Sequence, residues 1–79
     1  MTLVVILGKR LFNDGTMSIE LKKRLNLGIE TFNKVNADYV CLCGGMPNRY
    51  ASLTEASQMY AYLIEKDFDE TKIIIEEKS

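Results

Sequence analysis

Two glycines and an arginine follow the second apolar run of the chain, in the stretch Cys41–Ala56 with the sequence CLCGGMPNRYASLTEA. Gly44 and Gly45 carry no Cβ, so the backbone there can approach a ligand closely or adopt positive φ. The Arg49 guanidinium can hold an oxyanion through two hydrogen bonds. A helix expected just beyond adds free N–H groups and the positive end of its dipole, which favour an anion. The stretch therefore predicts a site for an anionic or nucleotide-like small molecule.

A second glycine turn follows the first apolar run, where Gly8 precedes two cations. Backbone N–H groups at both glycine turns could bind a phosphate or a carboxylate. Lys9, Arg10 and Arg49 are the cations nearest these turns. The alternatives are that the glycines only end strands in tight turns and that Arg49 is a solvated loop side chain. Both standard nucleotide fingerprints, G-x-G-x-x-G and the P-loop, are missing from the sequence.

The elements that must position these turns alternate along residues 1–79, which we interpret as one domain. Apolar runs at Leu3–Leu7, Tyr39–Cys43 and Lys72–Glu76 predict three strands. Ser18 is expected to cap the first helix, which has a buried stripe at Leu21, Leu25, Ile29 and Phe32. The second helix has its stripe at Ala56, Met59, Tyr60, Leu63 and Ile64. Ser52 is expected to cap that helix, because Ser52-Leu-Thr-Glu55 fits a capping box with Glu55 as its fourth residue.

Strands that alternate with helices predict a parallel sheet joined by right-handed crossovers. The expected fold class is α/β, three-layer and Rossmann-like: a three-stranded parallel sheet from a β-α-β-α-β unit, which is half of a doubly wound domain. Strand order 3-2-1 would place both helices on one face and leave an apolar face bare, whereas 2-1-3 would place one helix on each side. With the first order, a partner subunit such as a homodimer, a swapped segment or a missing C-terminal half is expected to cover the bare face.

Composition argues against several classes of function. The net charge is −1 without a basic cluster, so the chain lacks the electrostatic footprint of a nucleic-acid-binding protein. It has no histidine, and no acid or cysteine cluster has metal-ligand spacing, so no metal site is expected. Cys41 and Cys43 share one face of the second strand, where two small buried hydrophobes are favoured over a redox or metal pair. Reduced thiols and short apolar runs predict a cytoplasmic chain with no membrane span.

Six short motifs follow one another along the chain. They are Val4–Gly8, Asp14-Gly15, Arg24-Leu25, Cys43-Gly-Gly45, Thr54-Glu-Ala56 with Met59, and Ile74–Ser79. This series resembles the bacterial family of unknown function typified by YdcF and SanA, over the N-terminal part of the family's domain. The resemblance implies a Rossmann-like fold, a link to cell-envelope physiology, and a nucleotide or S-adenosylmethionine as ligand.

The resemblance also gives Glu55 a second interpretation beside the capping box. As the family's motif glutamate, Glu55 could meet a ligand hydroxyl or act as a base. The family has no established reaction, so the resemblance leaves enzymatic activity and catalytic residues open. If the chain is catalytic, analogy favours a transferase or a hydrolase acting on an activated, phosphate-containing substrate.

Two functional hypotheses follow from the sequence. In the first, Gly8, Lys9, Arg10, Gly44, Gly45, Arg49 and Glu55 line a small-molecule site at the C-terminal edge of the sheet. In the second, the chain has no ligand and self-associates through a bare apolar sheet face.

Overall fold

The computed structural model describes residues 1–8, 11–12, 16–44 and 54–76. Its elements follow in the order β1 (Leu3–Leu7), α1 (Ile19–Lys34), β2 (Tyr39–Cys43), α2 (Glu55–Glu65), a short 3-10 helix (Glu70–Lys72) and β3 (Ile73–Glu76). The predicted β-α-β-α-β order and the α/β fold class are confirmed, with the third strand beginning one residue later than expected.

The three strands form one parallel sheet in the order β1-β2-β3. Leu3 lies opposite Tyr39 and Leu7 opposite Cys43, while Val40 lies opposite Ile73. This is the 3-2-1 order of the two alternatives left open by the sequence. Two right-handed crossovers that step in the same direction across a sheet place their helices on the same face, and the core shows that arrangement.

A single buried cluster joins one face of the sheet to both helices. The strands contribute Ile6, Val40 and Leu42, which alternate with residues on the other face. The helices contribute Leu21, Leu25, Phe32, Ala56, Met59 and Leu63. The described residues thus form two layers, a sheet and one layer of helices. The prediction of three layers is wrong for them, because the strand order places both helices on the same face.

The predicted helix stripes are confirmed in their main members and differ at their margins. Ile29 and Tyr60 are half-buried, and Ile64 is 38% exposed, so the prediction that Ile64 is buried is wrong. Gly28 instead belongs to the buried side of α1, because a Cβ there would collide with the Ile6 side chain. The missing side chain lets α1 approach β1 closely.

The opposite side of the sheet, which no described residue covers, is called here the uncovered face. It carries Leu3, Val5, Leu7, Tyr39, Cys41, Cys43, Ile74 and Glu76. Val5 is 53% exposed and Leu7 62%. Cys41 and Cys43 are half-buried on this face, so the interpretation of both as buried hydrophobes is wrong. The strand order explains this result, since both helices pack on the other side.

The ends of both helices are set by local hydrogen bonds. The N–H of Leu21 donates to Ser18 Oγ at 3.2 Å, which confirms Ser18 as the cap of α1. Both helices end in a Schellman motif, in which the residue after the C-cap adopts the left-handed conformation. These residues are Asn36, with φ 54°, and Asp67, with φ 62°. In α2, the N–H of Phe68 donates to Leu63 O at 3.0 Å and that of Asp67 to Ile64 O at 3.0 Å.

Replacing Asp67 by glycine is expected to stabilise the fold by about 0.5–1 kcal/mol, because glycine adopts the left-handed conformation without a Cβ penalty. Thermal unfolding should show a Tm a few degrees higher. The matched control is Asn33→Gly, at an exposed position inside α1, which should lower the Tm since glycine weakens a helix interior. A lower Tm for Asp67→Gly would contradict this account of the helix end.

Candidate functional site

The carboxyl ends of the strands bring two of the predicted glycines together. Beyond β1, the N–H of Gly8 donates to Cys43 O at 2.7 Å, and beyond β2, the N–H of Gly44 donates to Glu76 O at 3.0 Å. Gly44 O in turn accepts from the N–H of Ala56 at 3.1 Å, which ties this turn to the first turn of α2. Gly8, Gly44 and the start of α2 therefore meet at one edge of the sheet.

The Glu55 side chain lies against both glycines at this edge. A Cβ added to Gly8 would stand 2.6 Å from Glu55 Oε1, and one added to Gly44 would stand 3.0 Å from the same oxygen. A Cβ on Gly44 would also come within 2.7 Å of the Glu55 Cβ. The Glu55 Cβ cannot move away from Gly44, so that position requires a glycine, whereas at Gly8 the nearest atom is the end of the flexible Glu55 side chain. The group that approaches them is a side chain of the same chain, and the N–H groups of both glycines donate to strand carbonyls. The approach of a ligand to these glycines stays a prediction.

Helix α2 begins later than the capping-box pattern predicts. Its cap is Thr54, whose Oγ1 accepts from the N–H of Ser57 at 3.1 Å, while Ser57 Oγ donates to Thr54 O at 2.9 Å. Glu55 is consequently the first helical residue and not the fourth residue of a box, so the expectation of a Ser52 cap is wrong. Since Thr54 and Ser57 supply the cap, the Glu55 carboxylate is left for another role.

The surroundings of Glu55 disfavour its charged form. The side chain is half-buried, and this burial raises its pKa above the ordinary value of 4.5. No hydrogen bond or charge from another described residue contributes to that shift. A carboxyl group whose pKa is raised by desolvation is a recurring feature of binding and catalytic sites. Sequence reasoning included Glu55 but could not foresee that Gly8 and Gly44 enclose it.

Arg24 reaches the same end of β1 from α1. Its Nη1 donates to Leu7 O at 2.6 Å and lies 3.4 Å from Gly8 O. The guanidinium therefore caps carbonyl groups at the end of the outer strand and places a positive charge beside the site. It also closes one end of a mainly apolar groove of about 410 Å³ between β1 and α1, lined by Val4–Leu7, Leu27, Gly28 and Thr31.

Several predicted site residues lie outside the described part of the chain. These are Lys9, Arg10, Gly45 and Arg49, together with Ser52 and the turn at Asn13–Gly15. The geometry of the site therefore depends on Gly8, Gly44 and Glu55. Within the described ranges, no group of three or more Cys, Asp or Glu side chains could hold a metal ion. No helix within those ranges has the length and apolar character needed to cross a membrane.

Comparisons of the chain with protein-family models, with curated proteins and with solved structures give no match. The class of protein is therefore defined only by the fold and by the residues at the C-terminal edge of the sheet. It is a half Rossmann-like α/β unit in which a carboxyl group is packed between two glycines at the C-terminal edge of a parallel sheet.

The Glu55→Gln variant is expected to be more stable than the parent chain at pH 7. A folded-state pKa above the unfolded value means that Glu55 favours folding when protonated and loses this contribution as the pH rises through the folded pKa. The difference in Tm should therefore shrink as the pH falls through the folded pKa, and it should vanish below the ordinary value of 4.5. Thermal unfolding measured from acidic to neutral pH tests this expectation.

The matched control is Glu30→Gln, on the exposed side of α1, which should change the Tm by a small amount at every pH. A Glu55→Gln variant less stable than the parent at pH 7 would contradict the prediction. It would show that the dipole of α2, which favours a charged Glu55, outweighs burial.

Proposed function

We propose that this chain binds a nucleotide-like small molecule with an anionic group at the C-terminal edge of its sheet. The observation that carries the proposal is the Glu55 carboxyl group packed between Gly8 and Gly44. In open parallel sheets, ligands bind beyond the carboxyl ends of the strands, where these three residues meet. The site thus combines an expected location with a polar side chain that the helix cap does not use.

An ionised carboxylate only accepts hydrogen bonds, so Glu55 selects donor groups on the ligand. The hydroxyls of a ribose or the ammonium group of S-adenosylmethionine have that chemistry. A phosphate directly against Glu55 would be repelled, so the anionic part of the ligand must contact another region. Arg49, Lys9 and Arg10 are the cations that the sequence assigns to that contact, and Gly45 is the glycine assigned with them.

The resemblance to the YdcF/SanA-like family supports the same ligand classes, a nucleotide or S-adenosylmethionine, in a bacterial cytoplasmic protein linked to the cell envelope. On that analogy Glu55 can also serve as a base toward a ligand hydroxyl. Its pKa is raised toward neutral pH, and a general base works best when its pKa lies near the pH of the reaction. The proposal itself is limited to binding.

A thermal-shift screen of adenine and guanine nucleotides, S-adenosylmethionine and sugar phosphates tests the proposal. We expect one ligand class to raise the Tm in a concentration-dependent manner. A hydrogen bond to a charged group contributes about 1.5–3 kcal/mol, so Glu55→Gln and Arg49→Ala should each weaken that ligand about tenfold or more. The charge-matched controls, Glu30→Gln and Lys23→Ala on exposed positions of α1, should bind like the parent chain. The proposal fails if no class raises the Tm, or if the four variants bind alike.

The uncovered face favours a second candidate function, which is self-association. Exposed apolar side chains on all three strands form a contiguous patch, and such patches on soluble proteins mark interaction surfaces. Three strands about 4.8 Å apart, two of five residues and one of four, cover only a few hundred square ångströms. A standard interface buries about 800 Å² on each partner. We therefore expect the face alone to support weak, concentration-dependent pairing of two copies.

Replacing Val5 by lysine places a charge in the middle of the outer strand on the uncovered face. Sedimentation equilibrium should show weaker association for Val5→Lys than for the parent chain. A chelator is added so that trace metal ions do not contribute to the association. The control is Val35→Lys at the end of α1, because Val35 is exposed to a similar degree, 50% against 53%, and lies outside the face. Equal association of both variants would contradict the use of this face.

A further inference from the structure

The two cysteines lie at the centre of the uncovered face. β2 is the middle strand of the sheet, and Cys41 and Cys43 point to the same side of it. Their sulfur atoms are 3.6 Å apart, and both side chains are half-buried and reduced. Val5 and Leu7 on β1 and Ile74 and Glu76 on β3 lie opposite them in register. The pair is therefore a dithiol on an apolar surface that a second molecule can reach.

The sulfur spacing fits a shared metal ion better than a disulfide. Two thiolates bound to a tetrahedral Zn²⁺ at about 2.3 Å lie about 3.8 Å from each other, close to the observed separation. A disulfide would need the sulfurs at about 2.0 Å, and residues two apart on a strand have Cα atoms about 6.6 Å apart, near the upper limit for that bond. Thiolates are also the ligands that soft metals such as zinc prefer.

We propose that Cys41 and Cys43 form half of a tetrahedral zinc site, which the same two cysteines of a second copy complete across the uncovered face. This inference extends the second candidate function and rests on it. Each chain supplies two of four thiolates, and four thiol protons leave to solvent when one Zn²⁺ binds. The described residues offer no third ligand beside the pair, so one chain alone leaves the coordination sphere half filled.

The dimensions of stacked sheets allow this arrangement. Two sheets pack face to face at about 10 Å, so a metal midway lies about 5 Å from each backbone, a distance that a cysteine side chain and one Zn–S bond can span. Because β2 is central, a twofold axis that stacks the two faces can bring the pairs opposite each other. The metal would also supply the binding energy that the small apolar area lacks.

The test is a titration of the reduced chain of residues 1–79 with Zn²⁺, and in parallel with Co²⁺, monitored by light scattering and absorbance. We expect one metal ion per two chains, a mass that rises from 9.0 kDa to twice that value, and a thiolate-to-cobalt charge-transfer band. Cys41→Ser and Cys43→Ser should each abolish all three signals. Val35→Lys, outside the face, should keep them.

Other outcomes separate this inference from self-association itself. A dimer that forms with chelator present and is unchanged by zinc overturns the zinc site and leaves self-association standing. One metal ion bound per monomer also overturns the zinc site. If no metal binds and no dimer forms, the zinc site and self-association are both overturned. Cysteine variants that still dimerise with zinc would assign the metal to other ligands and overturn the proposal.

Discussion

The order of the strands governs the rest of this structure. A chain that runs from β1 to β2 to β3 in adjacent positions, with crossovers of one hand, must place α1 and α2 on the same side of the sheet. Every strand residue of the buried cluster therefore lies on one face, and the alternate residues are left on the other. The apolar residues of the strands divide between a core that two helices cover and a surface that the described residues leave open.

The same topology assembles the site at the edge of the sheet. Parallel strands end at a common edge, so the turns after β1 and β2 meet although they are far apart in the chain. Glu55 enters between them because α2 begins beside Gly44, whose carbonyl accepts from the N–H of Ala56. Its carboxyl group is packed against glycines and partly removed from water, which raises its pKa and disfavours its charge. An unfavourable environment for a charged side chain is common where function, and not stability, determines the residue.

What could be predicted from the sequence was mostly local. Ser18 as a cap and the buried positions Leu21, Leu25 and Phe32 follow from short spacings, and they were confirmed. Gly28 was missed because a hydrophobic pattern counts side chains and a glycine has none. Strand order was left open because no local pattern specifies which strands are neighbours. Strands that are apolar on both faces fit the order 2-1-3 without a partner, yet the structure has the order that leaves one face bare.

The role of Glu55 shows the same limit within the candidate site. Ser52 to Glu55 fits a capping box, and that local pattern favoured a structural role for the glutamate. The structure assigns the cap to Thr54 and Ser57 and brings Gly8, from the other end of the chain, against the Glu55 carboxyl group. No spacing rule contains that contact, because it depends on two strands ending side by side.

The site and the uncovered face are neighbours, and this has a consequence for both candidate functions. Leu7 and Cys43 are the last strand residues before Gly8 and Gly44, and both belong to the uncovered face. Glu76 ends β3 on the same face, and its carbonyl accepts from the N–H of Gly44. Any molecule that covers this face therefore lies beside the glycine turns. A ligand at Glu55 and a second copy on the sheet would then contact adjoining residues, so assembly and binding need not be alternatives, and each can influence the affinity of the other.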